Sequence, residues 1–473
     1  MVKKVALEQI LDRDAERSHL EAAWRSATKG VPQLALVWGR RRVGKTFLVS
    51  HLASDKPRAV FFGATEQAEE IELARLAEVC RHALGPRSLD VAGGSFSGWE
   101  AALRFFVALA ESEPLLVVID EVPYLARSTP GFASIVQAVW DHVPPRTKLM
   151  LVLTGSAVGV IEDMTGTSGA LRGRPTTSMR LDPIDLVSAR VFLPDLQPVE
   201  YFEAYAACGG YPVHLKSWDQ GRTVQANLLG LAASSGGLLL EDAEAIMGEE
   251  LPSSGGYPRI LAAIGRGRTR SSEIANEAKQ RIEHPLGVLS RAGFVRKEHP
   301  VGAPKASRPL YTIGDPYLAF WFRVLYSDMA QIGAGQGSAV LERRKEEWQK
   351  HLGWVFEEAA REHAARLVRA GRLPGDLVIG RWWATSGGSS EVDVLGLRGS
   401  HAALLGEARW SDRPLGMSVL HGLKGKVTRV PKPDERPIFA LWGRSGAEPS
   451  ITREGVLGFS LEDVLAEESN EVS

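Results

Sequence analysis

Gly39-Arg40-Arg41-Arg42-Val43-Gly44-Lys45-Thr46 follows the apolar run Leu34 to Trp38 and leads into Phe47, Leu48 and Val49. An apolar strand, a GxxxxGKT turn and a helical continuation together specify a P-loop. The glycines let backbone N–H groups turn inward around phosphate oxygens, and the helix after them adds the positive end of its dipole. Gly39 to Phe47 therefore form the expected nucleotide cradle. Lys45 is expected to reach the β/γ-phosphates, and Thr46 to place its hydroxyl on Mg²⁺.

Working outward, Leu115 to Ile119 is a second apolar run, and it ends in Asp120-Glu121. A strand this apolar suits a parallel sheet covered on both faces, and such sheets bind ligands beyond the carboxyl ends of their strands. Asp120 is expected to hold Mg²⁺ and Glu121 to polarise the attacking water. Leu149 to Leu153 is a third such strand and ends in Thr154-Gly155-Ser156, with Ser156 placed to sense the γ-phosphate or the water. Arg172 and Arg174 precede a strand around Met179 to Leu181, and Arg174 is read as a candidate catalytic arginine because its planar donors match phosphoryl oxygens.

The alternation of strands (Leu34 to Trp38, Ala59 to Phe62, Leu115 to Asp120, Leu149 to Thr154) with helical stretches predicts an α/β fold with a doubly wound parallel sheet through residue 198. A helical extension and linker is expected over 199–256, with a Gly-Gly-Tyr-Pro break at Gly209 to Pro212 and an acidic stretch from Glu241 to Glu250. Over 257–330, three short helices and then two strands describe a winged helix-turn-helix. Between Tyr257 and Tyr311 there are eleven basic residues, among them Arg266, Arg268, Arg270, Arg281 and Lys305, against four acidic ones. A basic module in a chain of net charge −1 suggests either a local nucleic-acid face or a packing module with a solvated surface. The aromatic run Tyr317 to Phe322 reads as helix core.

At 473 residues, 44% hydrophobic and 24% charged, the composition is that of an ordinary globular protein with about three domains. Cys80 and Cys208 form no CxxC or Cys/His cluster, which argues against structural zinc and a disulfide framework. Met1-Val2-Lys3-Lys4 leads into no apolar signal segment, and no run is long enough to span a membrane. The expected location is cytoplasmic. The oligomeric state is left open.

Over 340–473, Glu357 falls on a helix, followed by Glu391-Val392-Asp393 and Glu407-Ala408-Arg409. A hairpin centred near Gly399-Ser400 would set Asp393 opposite Glu407 and Glu391 opposite Arg409. Two readings stay open: a second divalent-metal site at Asp393 and Glu407, or cross-strand charge pairing.

Taken together, GRRRVGKT (Gly39 to Thr46), VVIDE (Val117 to Glu121), LTGS (Leu153 to Ser156), GGYP (Gly209 to Pro212) and DPYLAFWFR (Asp315 to Arg323) resemble the archaeal-type P-loop ATPases of the STAND branch of AAA+ relatives. The resemblance implies an ATPase core using ATP and Mg²⁺, a winged helix, and a carboxyl-terminal domain similar to the PD-(D/E)xK nucleases. Asp393 and Glu407 match that domain's metal-binding acids and Glu357 its helix acid. Arg409 stands where the motif expects lysine. Arginine cannot give up its proton to act as a base, which argues against cutting. The expectation is an ATP-dependent switch with DNA or a protein as partner. The alternatives are an ATP-licensed nuclease and a DNA-binding regulator that does not hydrolyse ATP.

Overall fold

The computed structural model describes residues 12–90, 93–156, 158–252, 255–303, 307–384 and 390–467; Met1 to Lys4, Ser253 and Lys305 lie outside them. The chain divides into two compact units. The first comprises the residues up to Pro183 together with Ile246–Pro252, and the second comprises Ile184–Ala245 and the remainder. The boundary expected at residue 198 falls earlier because Ile184 is already tied into the second unit: its N–H donates to Gly210 O at 2.8 Å. That contact also accounts for the Gly-Gly break, since a Cβ at Gly210 would stand 1.9 Å from Ile184 O.

The first unit is built on five parallel strands, β1 (Gln33–Gly39), β2 (Ala59–Gly63), β3 (Leu115–Asp120), β4 (Leu149–Gly155) and β5 (Thr177–Leu181), in the order β2-β3-β4-β1-β5. Every residue of β3 and β4 is buried, as two-sided coverage by helices requires. Each apolar side chain so placed contributes roughly 1.5–3 kcal/mol. Phe62, Trp99, Phe106 and Phe132 fill one face, with Trp99 set edge-on to Phe132 at 5.3 Å. Cys80 is buried in the same core.

In the second unit, helices Tyr257–Gly265, Ser271–Ala278 and Glu283–Arg291 precede β6 (Val295–Glu298) and β7 (Leu310–Ile313), which pair antiparallel. Tyr317, Phe320, Trp321 and Phe322 are fully buried. Tyr317 Oη donates to Leu239 O (3.0 Å) and Trp321 Nε1 to Leu240 O (2.8 Å), so the aromatic run is core.

The long helix Lys345–Arg369 leads to a second five-stranded sheet, β8 (Leu377–Trp383), β9 (Glu391–Arg398), β10 (His401–Arg409), β11 (Pro433–Gly443) and β12 (Leu457–Phe459), ordered β12-β11-β10-β9-β8. β8, β9 and β10 are antiparallel, whereas β10, β11 and β12 are parallel. Cys208 is also buried in this unit. No helix among the described residues is long and apolar enough to cross a membrane.

Candidate nucleotide site

In the strand order β3-β4-β1, the three segments singled out in the sequence leave adjacent strands at one edge. At its last residue β1 lies tight against β5: Gly39 pairs with Leu181, and a Cβ at Gly39, where φ is 148°, would meet Leu181 O at 2.1 Å. Gly44 takes φ 96° and opens the helix Lys45–Ser54, whose first-turn bond runs from Leu48 N–H to Gly44 O at 3.0 Å. Lys45 Nζ folds back to donate to Arg40 O at 2.9 Å. Burial draws the Lys45 pKa below the usual lysine range, opposed by the nearby carboxylates of Glu121, Glu250 and Asp120.

Thr46 Oγ1 donates to Asp120 Oδ2 at 2.8 Å, and Thr154 Oγ1 donates to Asp120 Oδ1. The hydroxyl and carboxylate expected to share Mg²⁺ are therefore neighbours, and Asp120 is oriented from the end of β4. Glu121 adopts a left-handed backbone, φ 57° and ψ 48°, a conformation that costs a non-glycine residue about 1–3 kcal/mol and tends to collect at functional sites. Its carboxylate Oε2 accepts from Ser156 N (3.1 Å) and Ser156 Oγ (2.8 Å). The donor set fits a Mg-bound polyphosphate: a glycine-bounded loop that opens a helix, a buried ammonium, and a hydroxyl beside a carboxylate.

Arg174 is elsewhere. Thr176 N–H donates to Leu34 O and Thr177 pairs with Ala35, so Arg174 precedes the amino end of β5, at the sheet edge opposite the P-loop. Its guanidinium forms a two-pronged pair with Asp141, 2.7 and 2.8 Å. The reading of Arg174 as a catalytic arginine is corrected: a residue that precedes a parallel strand lies at its amino end, away from the carboxyl edge where the P-loop sits.

Besides Asp120 and Glu121, two acids from the far end of the acidic stretch reach the P-loop. Arg41 N–H donates to Glu250 Oε1 at 3.1 Å, Arg40 Nε lies 3.9 Å from Glu250 Oε2, and Arg41 pairs with Glu249. In sequence this stretch reads only as a change of domain. The run of three arginines at Arg40 to Arg42, two of which meet these acids, was the available signal.

In the second unit, β9 and β10 pair up to Val394 opposite Gly406, with a register shift between Ala402 and Leu404. That shift brings Glu407 into line with Asp393, whose Oδ2 accepts from Ala408 N at 3.0 Å. Burial first, then the facing charge, pushes the Asp393 and Glu357 carboxyls up. Glu391 does not meet Arg409: it pairs with Arg381 of β8, and Arg409 pairs with Glu407 on its own strand at 3.1 Å. Lys426, which the sequence did not single out, places Nζ 2.6 Å from Glu407 Oε2. Among the described residues, no group of three or more His, Cys, Asp and Glu side chains could hold a metal ion.

Residues 10–217 match a family model described as an ATPase domain predominantly from Archaea. This match spans the P-loop and all five strands of the first unit, β1 to β5. Residues 321–420, beyond the ATPase domain, match a second model, described as Archaea bacterial proteins of unknown function. An uncharacterized protein of Methanocaldococcus jannaschii is 26% identical over 392 residues, covering 80% of this chain and 83% of that one. Among solved structures, a Walker-type ATPase of Pyrococcus abyssi is 22% identical, with TM-score 0.49, covering 67% of this chain and 96% of that one. The ORC2 protein of Aeropyrum pernix is 14% identical, with TM-score 0.44, covering 71% and 97%.

Proposed function

We propose that the protein is an ATP-dependent molecular switch whose first unit binds and hydrolyses Mg·ATP and whose second unit engages nucleic acid or a protein partner. The observation that carries this reading is the chain of contacts Thr46–Asp120–Thr154 beside Glu121–Ser156 at the carboxyl edge of β1, β3 and β4. Bound Mg²⁺ would supply charge neutralisation at the phosphates. Gly44, Lys45 and Thr46 hold the phosphates, Asp120 orients the Thr46 hydroxyl, and Glu121, when released by Ser156, accepts a proton from an attacking water. Lys45→Ala is expected to weaken Mg·ATP binding about 10- to 100-fold, the loss of a charge-assisted contact. Equal affinity of the two proteins in calorimetry would defeat the assignment.

The three helices and the β6–β7 pair after them have the order of a winged helix, and Arg281, Arg291 and Lys297 are exposed on it. This supports a nucleic-acid face. A second reading, an ATP-licensed nuclease, is favoured by one observation: Lys426 brings an ammonium to Glu407, the type of group that Arg409 cannot supply. Metal-dependent DNA cutting lost in both Asp393→Ala and Lys426→Ala would support it, and intact DNA under all conditions would exclude it.

A further inference from the structure

We propose that Glu250 is an internal competitor for the nucleotide's phosphates, a carboxylate carried on the chain that must leave the P-loop before Mg·ATP can enter. The inference rests on the reading of this loop as the nucleotide site and adds how that site is regulated.

The geometry is specific. Helix Leu238–Glu250 ends at the P-loop, and its last residues belong to the first unit through Ile246–Pro252. Glu250 accepts the Arg41 amide hydrogen at 3.1 Å and faces the Arg40 guanidinium. Its side chain is 1% exposed and that of Arg40 5%. Glu249 anchors the same turn twice: its carboxylate pairs with Arg41 and its carbonyl accepts from Arg127 Nη2 at 3.4 Å. A carboxylate on a backbone amide and a guanidinium, within the field of Lys45, uses the kinds of donor that a phosphate would use.

Two anions cannot share such donors in a water-poor setting without one becoming neutral or moving away. In the absence of nucleotide, Glu250 supplies the counter-charge that buried Arg40 needs. With nucleotide, the phosphates replace it and the turn at Glu249-Glu250 is released. The chain on both sides of Ile246–Pro252 belongs to the second unit, so the competitor is covalently continuous with the part of the protein expected to respond. By linkage, whatever holds Glu250 in place weakens ATP binding, and ATP weakens that hold to the same extent.

Glu250→Gln keeps the shape and removes the charge. It is expected to tighten Mg·ATP binding about tenfold or more in calorimetry while lowering the melting temperature of the nucleotide-free protein, two effects of opposite sign. Glu244→Gln, on an exposed position of the same helix, is expected to change neither. In the wild-type chain, hydrogen exchange at residues 246–252 is expected to accelerate when Mg·ATP is added. Unchanged or weaker ATP affinity in Glu250→Gln overturns the proposal, as does an equal gain in Glu244→Gln or unchanged exchange in the wild type. No ATP binding by wild type and variant alike would defeat the nucleotide-site reading itself, and the competitor with it.

Discussion

Glu121 sits in a backbone conformation that its side chain does not favour, with its carboxylate held by Ser156. Glu121→Gln retains the shape and the left-handed turn but cannot take a proton, so ATP binding should persist while turnover falls by roughly 10²–10⁴-fold. Equal hydrolysis rates for variant and wild type would remove Glu121 from the chemistry. His351 poses a different test. It is fully buried, with Nε2 2.8 Å from Ala206 O, and burial, with Arg323 nearby, draws its pKa down from 6.5 to about 3. Below pH 6.5 the unfolded chain takes up a proton that the folded one refuses. Stability supplied by the neutral imidazole is therefore full above pH 6.5 and is lost towards pH 3, at up to about 1.4 kcal/mol per pH unit. Acid unfolding tracked by near-ultraviolet circular dichroism should show this slope, and His351→Gln should flatten it. An identical slope in the variant would assign the acid sensitivity elsewhere.

At the level of elements, the third helix of the basic module, the link before it and the strand after it present Arg281, Arg291 and Lys297 to solvent, whereas Arg266 and Arg268 both spend their charge on Glu277, at 3.0 and 2.6 Å. If this face meets nucleic acid, Arg281→Glu and Arg291→Glu should each reduce the slope of log affinity against log salt by about one, and Arg268→Glu should cost less. A slope unchanged by all three would favour a packing role. β1, β3 and β4 of the first unit were legible because a two-sided parallel sheet needs unbroken apolar runs, and those runs stop where the polar site residues begin. The β9–β10 hairpin was legible too, although the alignment of Asp393 with Glu407 needed a register shift near Ala402 that no turn residue announces. Arg174 was misread because its chemistry was weighed without its place: a residue that precedes a parallel strand lies at the amino end, away from the site. Glu250 and Lys426 escaped notice because each reaches its partner through tertiary packing, 209 residues from Arg41 and 19 from Glu407.

Across the whole molecule, if Glu250 supplies the counter-charge of the P-loop arginines when nucleotide is absent, as proposed above, the nucleotide-free protein is expected to be stable in its own right rather than collapsing when ATP is depleted. Each unit also holds one of the two cysteines in its core. Burial pushes the Cys80 thiol up to about 12 and that of Cys208 higher still, and the thiolate is the reactive form. Both sulfurs should therefore ignore alkylating reagents and peroxide until their surroundings open. Timed alkylation with peptide mass measurement would then act as a pair of clocks, Cys80 reporting the opening of the nucleotide-binding unit and Cys208 that of its companion. The native chain thus carries its own two-channel record of which part loosens first under heat, denaturant or nucleotide withdrawal.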